Sequence, residues 1–81
     1  MAAKLTKAQA RVLGAITDWL AAYEVAERLF DDPDVTARRG VQKVLGRLVT
    51  LGYAKLSVAN ATYRITDAGR TALSQHQGDS L

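Results

Sequence analysis

Along the first fifty positions, apolar residues recur at a spacing that only a helix brings into line. Leu5, Val12, Leu13, Ile16, Trp19 and Leu20 form one stripe, while Lys7, Arg11, Gly14 and Asp18 fall on the other side, which is the pattern of an amphipathic helix. Thr6, with Gln9 three residues on, is a capping-box pair, so this helix is expected to start at Thr6. Trp19 is the only tryptophan; its size makes it the expected core anchor, with base stacking as the alternative. A second, shorter helix is expected from Tyr23 to Phe30, burying Val25, Ala26, Leu29 and Phe30 and leaving Glu24, Glu27 and Arg28 in water. The segment Asp31-Asp32-Pro33-Asp34 ends it, because the proline pushes Asp32 out of the α region and aspartates favour turns.

Thr36 is the expected cap of a third helix running to about Leu51, with Gly52 as its stop. Ala37, Val41, Val44, Leu45, Leu48 and Leu51 cluster on one side of it. Arg39, Gln42, Lys43, Gly46 and Thr50 collect opposite, flanked by Arg38 and Arg47. From Tyr53 the period drops to two: Leu56, Val58, Tyr63 and Ile65 alternate with Lys55, Ser57, Thr62 and Arg64. A hairpin turning at Ala59-Asn60 or at Asn60-Ala61 keeps those four apolar residues on one face and sets Lys55 and Arg64 together on the other. Asn60 suits the left-handed conformation of such a turn. Thr66 or Asp67 then caps a last short helix through Gly69, Arg70, Ala72 and Leu73. The folded domain is expected over residues 1–74, with 75–81 (QHQGDSL) as a loose tail.

Charge sharpens this picture. The net charge is only +3, but it is unevenly spread. Residues 1–35 carry four bases (Lys4, Lys7, Arg11, Arg28) against six acids, while residues 36–70 carry seven (Arg38, Arg39, Lys43, Arg47, Lys55, Arg64, Arg70) against Asp67 alone. A basic second half is what a polyanion-binding surface requires, although charge runs are also ordinary solvated faces. With 81 residues, 48% of them hydrophobic, the chain has room for one globular domain. It has no cysteine, no run of apolar residues near the ~20 that span a bilayer, and no secretory leader in MAAKLTKAQA. A cytoplasmic, nucleoid-associated protein with no membrane partner is therefore expected.

The segment GYAKLSVANATYRITDAG (residues 52–69) resembles the wing and following helix start of winged helix–turn–helix regulators of prokaryotes, of the multiple-antibiotic-resistance (MarR) and PadR kind. YEVAERL (23–29) resembles the helix before the turn in that family, and VQKVLGRLVTLGY (41–53) its recognition helix and exit. Together these cover about residues 6–73. The resemblance implies an α+β, mostly α fold: a three-helix core, a two-stranded hairpin wing and a short C-terminal helix. It further implies sequence-specific binding of double-stranded DNA and transcriptional regulation by operator occupancy, as a repressor in a bacterium or phage. Carried onto this chain, Thr36, Arg38, Arg39, Gln42 and Lys43 would meet base edges, where Arg and Gln pair bidentately with guanine and adenine. Arg47 and Thr50 would touch backbone, and Lys55, Asn60 and Arg64 would be the wing's contacts. Two features depart from the family's pattern. The acidic DDPDV segment lengthens the turn before the third helix, and the terminal helices are shorter than those through which the multiple-antibiotic-resistance type dimerises. A homodimer or paired sites is still expected, because a monomer this small binds specific DNA weakly.

Other chemistries find little support. His76, the only histidine, stands apart from any nucleophile, and no glycine-rich phosphate loop or metal-ligand spacing occurs. No enzyme activity and no cofactor are expected. Asp31, Asp32 and Asp34 do not follow the calcium-loop pattern and read as a solvated turn. Gly14, Gly40 and Gly46 interrupt helices at about 1 kcal/mol each relative to alanine; close approach of a backbone at Gly46 and relief of crowding at Gly40 are the two readings. The competing function is a winged-helix protein–protein module, a subunit or small inhibitor whose basic face meets an acidic partner.

Overall fold

The computed structural model describes residues 5–79, with side chains as far as His76. Lys4 and the last two residues of the expected tail lie outside it. The elements run α1 (Lys7–Ala15), β1 (Leu20–Ala21), α2 (Ala22–Leu29), α3 (Val35–Thr50), β2 (Ala54–Ser57), β3 (Thr62–Ile65) and α4 (Asp67–Asp79). The fold is α+β and mostly helical. Its three strands form one antiparallel sheet in the order β1-β3-β2.

Local chemistry accounts for most boundaries. Thr6 Oγ1 accepts from the Gln9 N–H at 3.1 Å, and Gln9 Oε1 accepts from the Thr6 N–H at 3.0 Å, closing the capping box at the start of α1. At the other end of α3, the Tyr53 N–H reaches the Leu48 carbonyl at 2.9 Å and the Gly52 N–H reaches Val49 at 3.0 Å. This is a Schellman stop, and Gly52 takes the φ of +82° that it needs. Thr66 joins this exit to α4: its hydroxyl donates to the Gly52 carbonyl at 2.7 Å and accepts from the Gly69 N–H at 3.0 Å.

The core gathers Leu13, Ile16, Val25, Ala26, Leu45 and Leu48, all with essentially no exposure, and is closed by Tyr53, Ala54 and Ile65 from the sheet side. Gly69 packs so closely beneath Tyr53 that a Cβ there would overlap the Tyr53 carbonyl oxygen and stand 2.9 Å from Ile65 Cγ1. Only glycine fits at this crossing.

Several expectations are corrected. The first helix stops at Ala15 rather than continuing through Leu20, because the Ile16 carbonyl accepts from the Ile65 N–H at 2.9 Å and the chain turns at Thr17-Asp18. Leu20 and Ala21 then become a third strand opposite Tyr63 and Thr62, so the sheet is not the expected two-stranded hairpin. Trp19 is no core anchor: it is 41% exposed, its own N–H held by Asp18 Oδ1 at 2.8 Å. Phe30 is likewise 40% exposed, its ring under the Arg11 guanidinium at 5.8 Å.

Further along, the α3 cap is Asp34, not Thr36, with Oδ1 accepting from the Ala37 N–H at 2.8 Å; the aspartate also complements the positive end of the helix dipole. In the hairpin, Leu56 pairs with Tyr63 and Ser57 with Thr62, the register of the Ala59-Asn60 turn. The loop nevertheless takes in Val58 to Ala61, so Val58 leaves the apolar face and is 84% exposed. The left-handed residue is Ala61, at φ 51°, rather than Asn60. Finally, α4 continues to Asp79, past Gln75 where the loose tail was expected; between Gly69 and Gly78 no helix breaker interrupts it.

Candidate nucleic-acid interface

The side chains expected to bind DNA are positioned by one rule: α3 buries Val41, Leu45 and Leu48, so whatever lies opposite them faces water. At 3.6 residues per turn, Arg39, Lys43, Gly46 and Thr50 form the ridge opposite that buried stripe, with Thr36 and Arg47 on one flank and Gln42 and Arg38 on the other. Thr36, Arg38, Arg39, Gln42, Lys43, Arg47 and Thr50 are all exposed. The helix is 16 residues long, or about 24 Å.

The electrostatics of this face are simple. Among the described residues no carboxylate pairs with Arg38, Arg39, Lys43 or Arg47; the one ion pair joins Arg70 and Asp67 at 2.9 Å. Asp34, the nearest acid in sequence, is occupied with capping. Thr50 returns its hydroxyl hydrogen to the Gly46 carbonyl at 3.1 Å, which leaves its lone pairs outward. A Cβ on Gly46 would meet nothing within 4 Å, and the same holds for Gly40. Crowding therefore does not explain Gly40, and the fold itself has no packing need for glycine at Gly46.

The wing residues are divided. Asn60 is exposed in the loop between β2 and β3, but that loop (Val58, Ala59, Asn60, Ala61) carries no charge. Lys55 and Arg64 sit opposite each other, two rungs back from the last ladder pair. They share a concavity with Trp19, Ile65, Thr66, Asp67 and Arg70. The candidate residues thus make two groups: the ridge of α3, and a basic pair on the sheet. Trp19 and Arg70 were missed as neighbours of that pair. The signal for Trp19 was the Thr17-Asp18 turn, which breaks the helical stripe just before it.

A separate groove runs between α1, the end of α2 and α3. It is lined by Ala8, Val12, Leu29, Phe30, Val41 and Val44, with a volume of about 250 Å3. Arg11 edges it, donating to the Leu29 carbonyl at 3.3 Å. Among the described residues, no cluster of three or more His, Asp or Glu side chains is arranged to hold a metal ion, and no helix is long and apolar enough to cross a membrane. Comparison of the chain with protein-family models, with curated proteins and with solved structures finds no match.

Proposed function

We propose that this chain is a winged helix–turn–helix domain that binds double-stranded DNA in a sequence-dependent way, and acts as a small transcriptional regulator by occupying its operator. The observation that carries this reading is the outward ridge of α3: four cations, Arg38, Arg39, Lys43 and Arg47, with no paired carboxylate, around a glycine that its own fold leaves open. An α-helix fits the major groove, about 12 Å wide, and cations placed along it replace condensed counterions. Arg39, Gln42 and Lys43 would reach base edges, and Arg47 and Thr50 the flanking phosphates. Without a side chain, Gly46 would let a sugar–phosphate strand approach the helix closely.

The order of elements supports the same reading. A hairpin follows α3 directly, and its exposed loop with Asn60 projects as a wing would. The described residues extend 32 Å along their longest axis, against about 34 Å for one turn of B-DNA. Two copies would therefore fit successive half-sites on one face of the duplex.

Fluorescence anisotropy against mixed genomic duplex fragments, at two salt concentrations, tests the proposal. Four phosphate-facing cations predict a log–log salt slope of about −3.6, and Arg39→Ala with Lys43→Ala would remove about half of it. Absence of binding at low salt, or binding indifferent to the double substitution, refutes the reading.

One observation favours the protein-binding alternative: the apolar groove beside Phe30 and the 60% exposed Val35, next to the acidic Asp31-Asp32 turn. Retained duplex binding in Phe30→Ser would set that alternative apart from the DNA reading.

A further inference from the structure

The sheet carries a feature that duplex binding through α3 does not use. Leu20 pairs with Tyr63, so by register Trp19 comes level with Arg64, and Arg64 in turn pairs with Lys55. One rung across three strands therefore reads Trp19–Arg64–Lys55. The first turn of α4 adds Arg70, and the four side chains line a concavity of about 140 Å3 together with Ile65, Thr66 and Asp67.

The fold gains little from this arrangement. Like charges directly opposite on an antiparallel pair are destabilising, yet among the described residues no carboxylate engages Lys55 or Arg64. Asp67, the one acid in the lining, is held by Arg70 at 2.9 Å. Beside this pair stands a tryptophan that is 41% exposed, the largest aromatic surface the chain has to offer. Cations that need an anion, next to a free aromatic face, match the two halves of a nucleotide: a phosphate and a planar base.

The geometry points to a second nucleic-acid site on this sheet face, which binds an unpaired nucleotide of a single strand, its base stacked on Trp19 and its phosphates held by Lys55 and Arg64. A base inside a duplex has both faces covered by its neighbours, so only an unpaired one can lie on the indole. The site shares Lys55 and Arg64 with the wing but makes no use of α3, and it stands or falls independently of recognition by that helix.

Because Trp19 is the only tryptophan, its fluorescence reports on this site alone. Titration of the whole chain with an eight-residue oligothymidylate should quench the emission, with a log–log salt slope of about −1.4 for two phosphates on a single strand. A paired Lys55→Glu and Arg64→Glu variant should abolish the quenching. Trp19→Leu should weaken a labelled oligothymidylate by roughly five- to one-hundred-and-fifty-fold in anisotropy, with Trp19→Phe in between, the range expected for loss of one stacked base. Arg39→Ala with Lys43→Ala should leave the quenching intact while lowering duplex affinity, which separates this site from the α3 reading. No quenching, equal quenching by inorganic phosphate, or equal affinity for a duplex of the same length would each overturn the proposal.

Discussion

Gly69→Ala is the most demanding test of how the last helix is joined to the core. The added methyl would overlap the Tyr53 carbonyl oxygen and lie 2.9 Å from Ile65 Cγ1. Ile65 is buried, and the Tyr53 oxygen accepts from the Thr66 N–H at 3.0 Å, so neither neighbour can withdraw without loss elsewhere. Overpacking of this kind costs about 1–3 kcal/mol, and contact with backbone rather than a side-chain tip places it near the top. Replacing glycine by alanine in a helix returns at most about 1 kcal/mol. The net loss is then about 2 kcal/mol, a substantial part of the roughly 4–12 kcal/mol available to a domain of this size. At about 4–8 °C per kcal/mol, the melting temperature should fall by about 8–16 °C in a circular-dichroism melt at 222 nm. Gly40→Ala is the internal control: its Cβ would meet nothing within 4 Å, so it should melt slightly higher than the parent. A Gly69→Ala variant as stable as the parent would refute the packing argument, and so would a destabilised Gly40→Ala.

Two further predictions concern α3. Asp34→Ala should cost about 1 kcal/mol in urea unfolding through loss of the cap, whereas Thr36→Ala, whose side chain makes no capping bond, should change stability by under about 0.5 kcal/mol; the reverse order would restore Thr36 as the cap. Gly46→Leu should fold at least as stably as the parent, since its site is open, yet lose duplex affinity at least tenfold by standing the helix off the backbone; unchanged affinity would remove this ridge from the interface.

What could be read from sequence follows the range of the forces involved. The capping box at Thr6 and Gln9, the Gly52 stop and the Thr66 cap each involve partners within a few residues, and each is visible as a short pattern. The ridge of cations on α3 was legible for the same reason, because helical periodicity alone separates it from Val41, Leu45 and Leu48. The end of α1 was not. Leu20 fits a helical stripe as well as a strand, and the choice is made by a hydrogen bond from Ile65, at the other end of the domain. Trp19 went astray with it, and so did the basic rung that includes Lys55, Arg64 and the indole. At the α3 cap the sequence offers two competent residues, Asp34 and Thr36, and the path of the chain after Pro33 decides between them. Val58 keeps the alternating pattern, but the ladder ends at Ser57, which no alternation can reveal.

The central place of β3 in the sheet also bears on how the molecule comes to be folded. Four helices suggest a chain that could assemble from quick local steps. Yet β1 has its pairing partner about forty residues downstream, and the Ile16 carbonyl, on a residue with no exposure, waits for the same strand. Closing a loop of that length costs about 3 kcal/mol of chain entropy before any contact repays it. A chain still emerging from the ribosome, or one cut short before Thr62, holds β1 without a neighbour and a buried carbonyl without a donor. The domain should thus fold late and all at once, more slowly than its helix content alone would suggest.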